Sequence, residues 1–169
     1  AGIKPDLVVG DFDSAKELPP KEIKCVSLPV DKDVTDTMFA VMKGFNLGLH
    51  SFLLLGCLGG KRFDHSLANL EVLQYIREHG GHGIMAGDHT KIFLLQEERL
   101  KMTGMAGAIV SVFPYNGSNC IVSYSGLKYP LNRGQLCCGG LPMGVSNQVT
   151  GDPAEVRVHS GCALVVVVQ

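Results

Sequence analysis

Apolar and polar positions change their period part-way along the chain. In the first half, short apolar runs at residues 7–9, 25–28, 52–55 and 84–86 alternate with helical patterns. Runs of that length, bounded by glycine or by charge, are expected to be buried strands. Between them, Met38, Val41, Met42 and Phe45 recur at i, i+3, i+4 and i+7, one face of a helix that Asn46 and Gly48 would end. Ala68, Val72 and Ile76, flanked by Leu70 and Leu73, mark a second amphipathic helix that stops at Gly80-Gly81. Strands alternating with helices imply a parallel sheet with crossover helices.

Beyond about residue 95 the helical period is lost. Runs at 108–113, 119–123, 127–129, 145–149, 154–159 and 162–168 have the length and composition of short strands. Asn116-Gly117, Asn132-Arg133-Gly134, Gly151-Asp152-Pro153 and Ser160-Gly161 are the turn signals between them. Short strands at close spacing read as a small sandwich or barrel. The expected fold class is therefore α/β plus all-β: a parallel-sheet α/β domain over residues 1–95, then a small β-sandwich over residues 96–169. The boundary is expected near residues 91–98, with 91–95 able to belong to either side.

Composition narrows the function classes. With 46% hydrophobic and 18% charged residues the chain has material for real cores and too little charge for disorder. Its net charge of −1, without a Lys/Arg cluster in the sequence, argues against a nucleic-acid-binding surface. No apolar run approaches the roughly 18 residues of a membrane span. The six cysteines form no Cys-x-x-Cys pair and have no His at zinc-ligand spacing. Cys25, Cys57 and Cys162 lie in apolar runs and are expected to be buried free thiols. With no signal-peptide pattern visible, a reducing cytoplasmic location is expected.

Three polar groups follow the first three expected strands. The first, Gly10-Asp11-Phe12-Asp13-Ser14, puts two carboxylates one residue apart where α/β sheets bind ligands. Hard oxygen ligands there suit Mg²⁺ accompanied by a phosphate; the plainer reading is an Asx turn or a cap. The second, Asp31-Lys32-Asp33-Val34-Thr35-Asp36, precedes the Met38 helix. Asp33 fits its N-cap, with Asp36 three residues on, yet a helix N-terminus at that edge also receives phosphate, to which Lys32 would add a cation. The third is Gly56-Cys57-Leu58-Gly59-Gly60-Lys61-Arg62-Phe63-Asp64-His65. Gly59-Gly60 allow backbone N–H groups to approach an anion and Arg62 offers a bidentate fork, while Asp64 is also placed to cap the following helix. The spacing is not that of a Walker A loop. Carboxylates for metal and cations for phosphate, all expected at one sheet edge, describe a nucleotide–Mg²⁺ site.

These motifs resemble the thiamine pyrophosphokinase (thiamine diphosphokinase) family. Gly10-Asp11-Phe12-Asp13-Ser14 is similar to its first metal motif, Asp33-Val34-Thr35-Asp36 to its Asp-x-Thr-Asp motif, and Gly59-Gly60-Lys61-Arg62-Phe63-Asp64-His65 to its Gly-Gly-x-Arg-x-Asp-His motif. Gly126-Leu127-Lys128-Tyr129-Pro130-Leu131 and Gly144-Val145-Ser146-Asn147 resemble its thiamine-binding β domain. Members carry a further strand and an Ala-Asp-Gly-Gly-type loop ahead of the first motif, and this sequence begins after them. Some relatives stack Trp on thiamine; with no Trp here, either Tyr129 or a main-chain and Ser146/Asn147 contact would take its place.

The resemblance implies transfer of pyrophosphate from ATP to the hydroxyethyl group of thiamine, giving thiamine diphosphate and AMP, in a homodimer with thiamine bound between subunits. It implies Asp11, Asp13 and Asp36 as catalytic metal ligands for Mg²⁺, with Arg62 and Asp64 also catalytic. Lys32, Asp33, Thr35, Gly59, Gly60, Arg62 and His65 would bind the nucleotide, and Ser146 and Asn147 the thiamine ring. The competing readings are a diphosphokinase for another alcohol such as a hydroxymethylpterin, a phosphatase with a nucleophilic aspartate, and a non-catalytic nucleotide- or thiamine-sensing module. The phosphatase usually has Thr or Val where Ala15 stands.

Overall fold

The computed structural model describes residues 3–11, 20–28, 33–60, 62–141 and 144–169. By its internal contacts the chain divides into two compact units, Ala1–His50 and Ser51–Gln169.

In the first unit β1 (Leu7–Gly10) and β2 (Lys24–Ser27) pair in parallel, Leu7 opposite Lys24 through Gly10 opposite Ser27. The pairing runs one residue further, where Leu28 N–H donates to Gly10 O at 2.9 Å. Helix α1 (Asp36–Asn46) buries Val41 and Gly44. It ends where its sequence pattern stops: Leu47 N–H reaches back to the Lys43 and Gly44 carbonyls, and Gly48 follows at φ 79°. The strands are less buried than their apolar runs suggest. Three of the four β2 residues are exposed, and Cys25, expected as a buried thiol, is among them. A strand in a two-stranded sheet lacks the flanking layers that would cover both of its faces.

The second unit opens with β3 (Ser51–Leu55), α2 (Phe63–Glu78) and β4 (His82–Ala86), a βαβ unit whose strands pair in parallel. Gly83 faces the helix so closely that a Cβ there would meet Leu73 and Ile76 at 2.9 and 3.0 Å. Leu54 and Met85, on that same face, are buried, while Leu53 and Leu55 on the other are 62% and 67% exposed. From β4 the sheet turns antiparallel through β5 (Thr90–Gln96). The remaining strands are β6 (Arg99–Met102), β7 (Ile109–Pro114), β8 (Asn119–Ser125), β9 (Leu131–Cys137), β10 (Asn147–Gln148), β11 (Ala154–Ser160) and β12 (Cys162–Val168). They build a mixed six-stranded sheet of order β10-β7-β12-β5-β4-β3 and an antiparallel four-stranded sheet of order β6-β11-β8-β9. Val110, Val112, Val165 and Val167 of the first sheet share one core cluster with Val122, Tyr124, Val156 and Val158 of the second.

Two differences from the sequence pattern have physical causes. Hydrogen bonding does not stop near residue 95, because β5 pairs with β4 on one side and β12 on the other. The run at 127–129 makes only an isolated bridge, Leu127 to Val149, and the strand forms instead at Leu131–Cys137, a polar segment that β8 recruits as an edge. Helix α2 is tied to the sheet by polar contacts as well. Tyr115 donates its hydroxyl hydrogen to Glu71 at 2.6 Å, and Arg77 meets Glu98 at 2.8 Å. Among the described residues no helix is long and apolar enough to cross a membrane.

Ile76 is fully buried between α2 and the sheet. Ile76→Ala should therefore lower the unfolding free energy by about 3 kcal/mol, read as a shifted urea midpoint with an unchanged slope.

Candidate functional site

In the first unit, Asp11 follows the last residue of β1 and is half-buried. Asp13 and Lys32 lie outside the described residues. At the start of α1 the N-cap is Thr35, whose Oγ1 accepts from Met38 N–H at 3.2 Å. This corrects the expected Asp33 cap: Asp33 stands two residues before the cap and Asp36 is the first helical residue. The local geometry accounts for Thr35 and leaves both carboxylates outside the capping bond. Asp33 and Asp36 are exposed, and Asp36 is the acidic residue of the first turn. Among the described residues, no three His, Cys, Asp or Glu side chains gather as a metal-binding group.

In the second unit, β3 leads into a loop shaped by glycine. Gly59 and Gly60 stand at φ 81° and 85°, successive left-handed residues that a side chain would strain. The loop is anchored from below by Asn69, a polar residue on the apolar face of α2, whose Nδ2 donates to Cys57 O at 3.0 Å. Ser66 Oγ adds a longer bond to Gly59 O at 3.4 Å. Arg62 is the N-cap of α2 and supplies no side-chain capping bond. First-turn N–H groups without a side-chain acceptor, together with the helix dipole, favour an anion.

Asp64 does not cap α2 either. Its carboxylate takes a bidentate grip from Arg62, with Nε at 2.9 Å from Oδ1 and Nη2 on Oδ2. That hydrogen bond, before any other influence, holds the exposed Asp64 carboxyl down at about 2 and pushes the Arg62 guanidinium up. One edge of the guanidinium is thereby fixed, and Nη1 makes no bond to Asp64. His65 is exposed in the first turn of α2, where its N–H donates to Arg62 O at 3.2 Å.

The expected thiamine-ring residues lie near the start of β10. Asn147 is buried, and its amide acts as a clamp: Oδ1 accepts from Tyr129 N–H and Gln148 N–H, each at 2.9 Å, and Nδ2 donates to Tyr129 O at 2.7 Å. The clamp holds Tyr129, a residue 61% exposed, with Lys128 Nζ 5.6 Å from its ring centre. Ser146 is exposed at φ 58°, with its N–H donating to Ser111 Oγ at 3.0 Å. Gly144 cannot be replaced, since a Cβ would collide with the Val112 carbonyl oxygen. Beside it lies an open apolar hollow of about 280 Å³ bounded by Phe113, Leu136, Leu141 and Val145. Asn69 and Ser111 have no place among the motifs of the sequence, and Lys128 stands there only as part of the Gly126–Leu131 motif, with no role of its own. Asn69 leaves a signal as a polar residue on an apolar helical stripe; Ser111 leaves none.

Comparison with known proteins decides the family. A model described as thiamin pyrophosphokinase, catalytic domain, matches residues 1–84, and one described as thiamin pyrophosphokinase, vitamin B1 binding domain, matches residues 93–164. The chain belongs to the thiamin pyrophosphokinase family. Its activity is thiamine diphosphokinase. The fold is shared with a thiamine pyrophosphokinase from Bacillus subtilis at 20% identity and a TM-score of 0.85, covering 99% of this chain and 80% of that one. The enzyme from Geobacillus thermodenitrificans gives 20% and 0.83, covering 99% and 79%; that from Candida albicans gives 16% and 0.77, covering 98% and 73%. No curated protein matches the sequence significantly. This thiamin pyrophosphokinase family member thus has the two-domain fold of these structures, built mostly of sheet.

Two expectations follow from the geometry. Titration of Asp64 by carboxyl NMR should give a midpoint of about 2, moving in Arg62→Gln toward the ordinary value of about 3.9. The sign follows from the lowered value: the Arg62–Asp64 pair persists through neutrality and is lost only as acid approaches that midpoint. Asn147→Ala removes a clamp that satisfies the Tyr129 N–H and C=O, and should cost about 2 kcal/mol of stability by chemical denaturation.

Proposed function

We propose that this chain binds ATP with Mg²⁺ and transfers its terminal pyrophosphoryl group to thiamine through the residues assigned here. In the step, the thiamine hydroxyethyl oxygen bonds to the β-phosphorus of ATP, the bond from that phosphorus to the AMP oxygen breaks, and the hydroxyl proton is released. What carries the reading is the guanidinium of Arg62, held by Asp64 at the uncapped start of α2 behind Gly59-Gly60, in a chain that matches both domains of the family.

Phosphoryl transfer of this kind asks the protein for positioning and charge neutralisation rather than covalent chemistry. Arg62 would neutralise transferring phosphate oxygens, Gly59 and Gly60 would let backbone N–H groups approach them, and His65 and Lys32 would add contacts. Asp11, Asp13 and Asp36 would hold the cation, with Asp33 and Thr35 at the nucleotide. The donor set is all carboxylate oxygen and fits a hard cation, and Mg²⁺ needs only one or two carboxylates when phosphates supply the rest. When bound, Mg²⁺ supplies positive charge beside the phosphate oxygens. The acidic start of α1 supports this assignment, because Asp33 and Asp36 there would repel a phosphate that arrived without a cation.

Ser146 would hydrogen-bond the aminopyrimidine of thiamine. Asn147, committed by two hydrogen bonds to Tyr129 and one to Gln148, would act on the ring through its remaining N–H and by presenting Tyr129. We assign residues 1–95 to a parallel-sheet α/β catalytic domain and 96–169 to a β-sandwich thiamine-binding domain, as the matched ranges support. A homodimer is supported by the exposed Leu53 and Leu55 on one sheet face. A cytoplasmic location is supported by six free cysteines.

The test is incubation with ATP, Mg²⁺ and thiamine, following AMP and thiamine diphosphate. Asp11→Asn and Arg62→Gln should each fold normally and lose roughly 100-fold in kcat, in line with removal of one transition-state electrostatic contact. Near-wild-type turnover in either variant would remove that residue from the site. Binding of both substrates by the wild type without AMP release would refute the transfer itself.

A further inference from the structure

The outward face of the four-stranded sheet carries charge that pyrophosphoryl transfer does not use. The register sets Arg157 of β11 directly opposite Arg99 of β6 on one side and opposite Ser123 of β8 on the other. Like charges directly opposite on neighbouring strands destabilise a sheet. Two breaks in the ladders lie beside this pair. β11 slips register against β8 between Val158 and Ser160, at His159, and β8 slips against β9 between Val122 and Tyr124, at Ser123. Bulges of this kind re-aim side chains. Opposite the second break, Arg133 sits at φ 49°, a left-handed conformation that is costly for a residue with a side chain.

The breaks assemble a small network. Ser123 Oγ accepts from Arg133 N–H at 2.9 Å and lies 2.7 Å from His159 Nε2, while Arg133 Nη1 lies 3.3 Å from His159 Nδ1. A guanidinium only donates, so Nδ1 accepts and the imidazole hydrogen is on Nε2, donating to Ser123. That tautomer is the wrong one for His159 to take a proton from Ser123, so the pair is not a nucleophile with its base. With two donors already on its oxygen, Ser123 keeps its own hydroxyl hydrogen for a further acceptor. Partial desolvation, with the charges of Arg133 and Arg157, holds His159 below its ordinary range and keeps it neutral.

The positive charge on this face is not cancelled locally. Among the described residues Arg99, Arg133 and Arg157 make no ion pair. Glu155 stands opposite Lys101, which adds a fourth cation beside it. Arg99 and Arg157 also line an open hollow of about 620 Å³ with His82, Glu97 and Glu98, and Glu98 is already engaged by Arg77. Three guanidinium groups and Lys101 thus stand with two uncommitted carboxylates, Glu97 and Glu155, among the described residues. No Phe or Tyr ring stands among these residues to stack a base.

We propose that Arg99, Arg133 and Arg157, with the Ser123 hydroxyl, form a second anion site that binds a multiply charged phosphate chain of the pyrophosphate or tripolyphosphate class. Guanidinium forks suit phosphate oxygens, and a bound polyanion relieves the repulsion between Arg99 and Arg157. The site recognises the phosphate chain alone, whether free or attached to a nucleoside.

The test is calorimetric titration of the whole chain with sodium tripolyphosphate in the absence of divalent cations, repeated with ATP and with AMP. Wild type should bind tripolyphosphate, and the R99Q/R157Q double variant should bind at least about tenfold more weakly, the effect of losing charge-assisted hydrogen bonds. Arg62→Gln should retain the binding, and the double variant should retain full transfer activity at saturating substrates. ATP binding as tightly as tripolyphosphate, with AMP much weaker, would mark a nucleotide's phosphate chain as an acceptable source; tripolyphosphate alone would mark a free one. At low salt the double variant should melt at the same or a higher temperature, because a like-charge pair has gone. The proposal is overturned by no tripolyphosphate binding to wild type, by unchanged affinity in the double variant, or by equal loss in Arg62→Gln, which would place the binding at the transfer site. A lower melting temperature, or a change of oligomeric state showing this face to be an interface between copies, would overturn it too.

Discussion

The second unit depends on one strand. β12, Cys162–Val168, is almost wholly apolar and pairs along its length with β5 on one side and β7 on the other. Through β5 it carries β4, β3 and the helix packed on them; through β7 it carries β10 and the Asn147 clamp. Its inward side chains, Ala163, Val165 and Val167, are buried in the core that also receives the second sheet. A strand hydrogen-bonded on both edges and covered on its inner face has no cheap way to move. The Gly59-Gly60 loop and the Ser146–Asn147 segment are therefore held by the same sheet, although a long stretch of chain separates them.

On that sheet, precision comes from specific polar contacts rather than from the loops themselves. Asn69 holds the carbonyl of Cys57, so the turn that presents Gly59 and Gly60 starts from a fixed point. Asn147 does the same for Tyr129, and Asp64 for Arg62. In each case a hydrogen-bonded side-chain amide or carboxylate sets a neighbour's position, the kind of support a site needs when its chemistry is mainly positioning. The four-stranded sheet shows the opposite condition. There Arg99 and Arg157 face each other without an ion pair, and the bulges at Ser123 and His159 engage Arg133 through neutral acceptors rather than a carboxylate.

Much of this was legible in the chain. The alternation of apolar runs with 3.6-period stretches located α1 and α2 and their glycine stops, and the loss of that period located the β-rich half. The motifs ending in Asp36, His65 and Asn147 pointed to the family that both domain matches show. Less legible were the edges. β9 is polar at Asn132, Arg133 and Gln135 and became a strand because β8 offered it a ladder, which no local pattern records. The N-cap of α1 fell to Thr35 rather than Asp33 because the cap is whichever oxygen meets the Met38 N–H, a matter of one residue in register.

Sequence by itself determined the inventory: which stretches have helical or strand periodicity, which glycines permit left-handed backbone, and which carboxylates and cations follow a strand. Those properties are local, set by side-chain type and spacing, and they survive whatever the rest of the chain does. Tertiary structure alone decided what each polar group is used for. Asp64 became the holder of Arg62 rather than a helix cap, Asn147 a clamp on Tyr129, and Arg157 the neighbour of Arg99. Hydrogen-bond partners and cross-strand neighbours come from distant parts of the chain, and only the packed sheets bring them within reach.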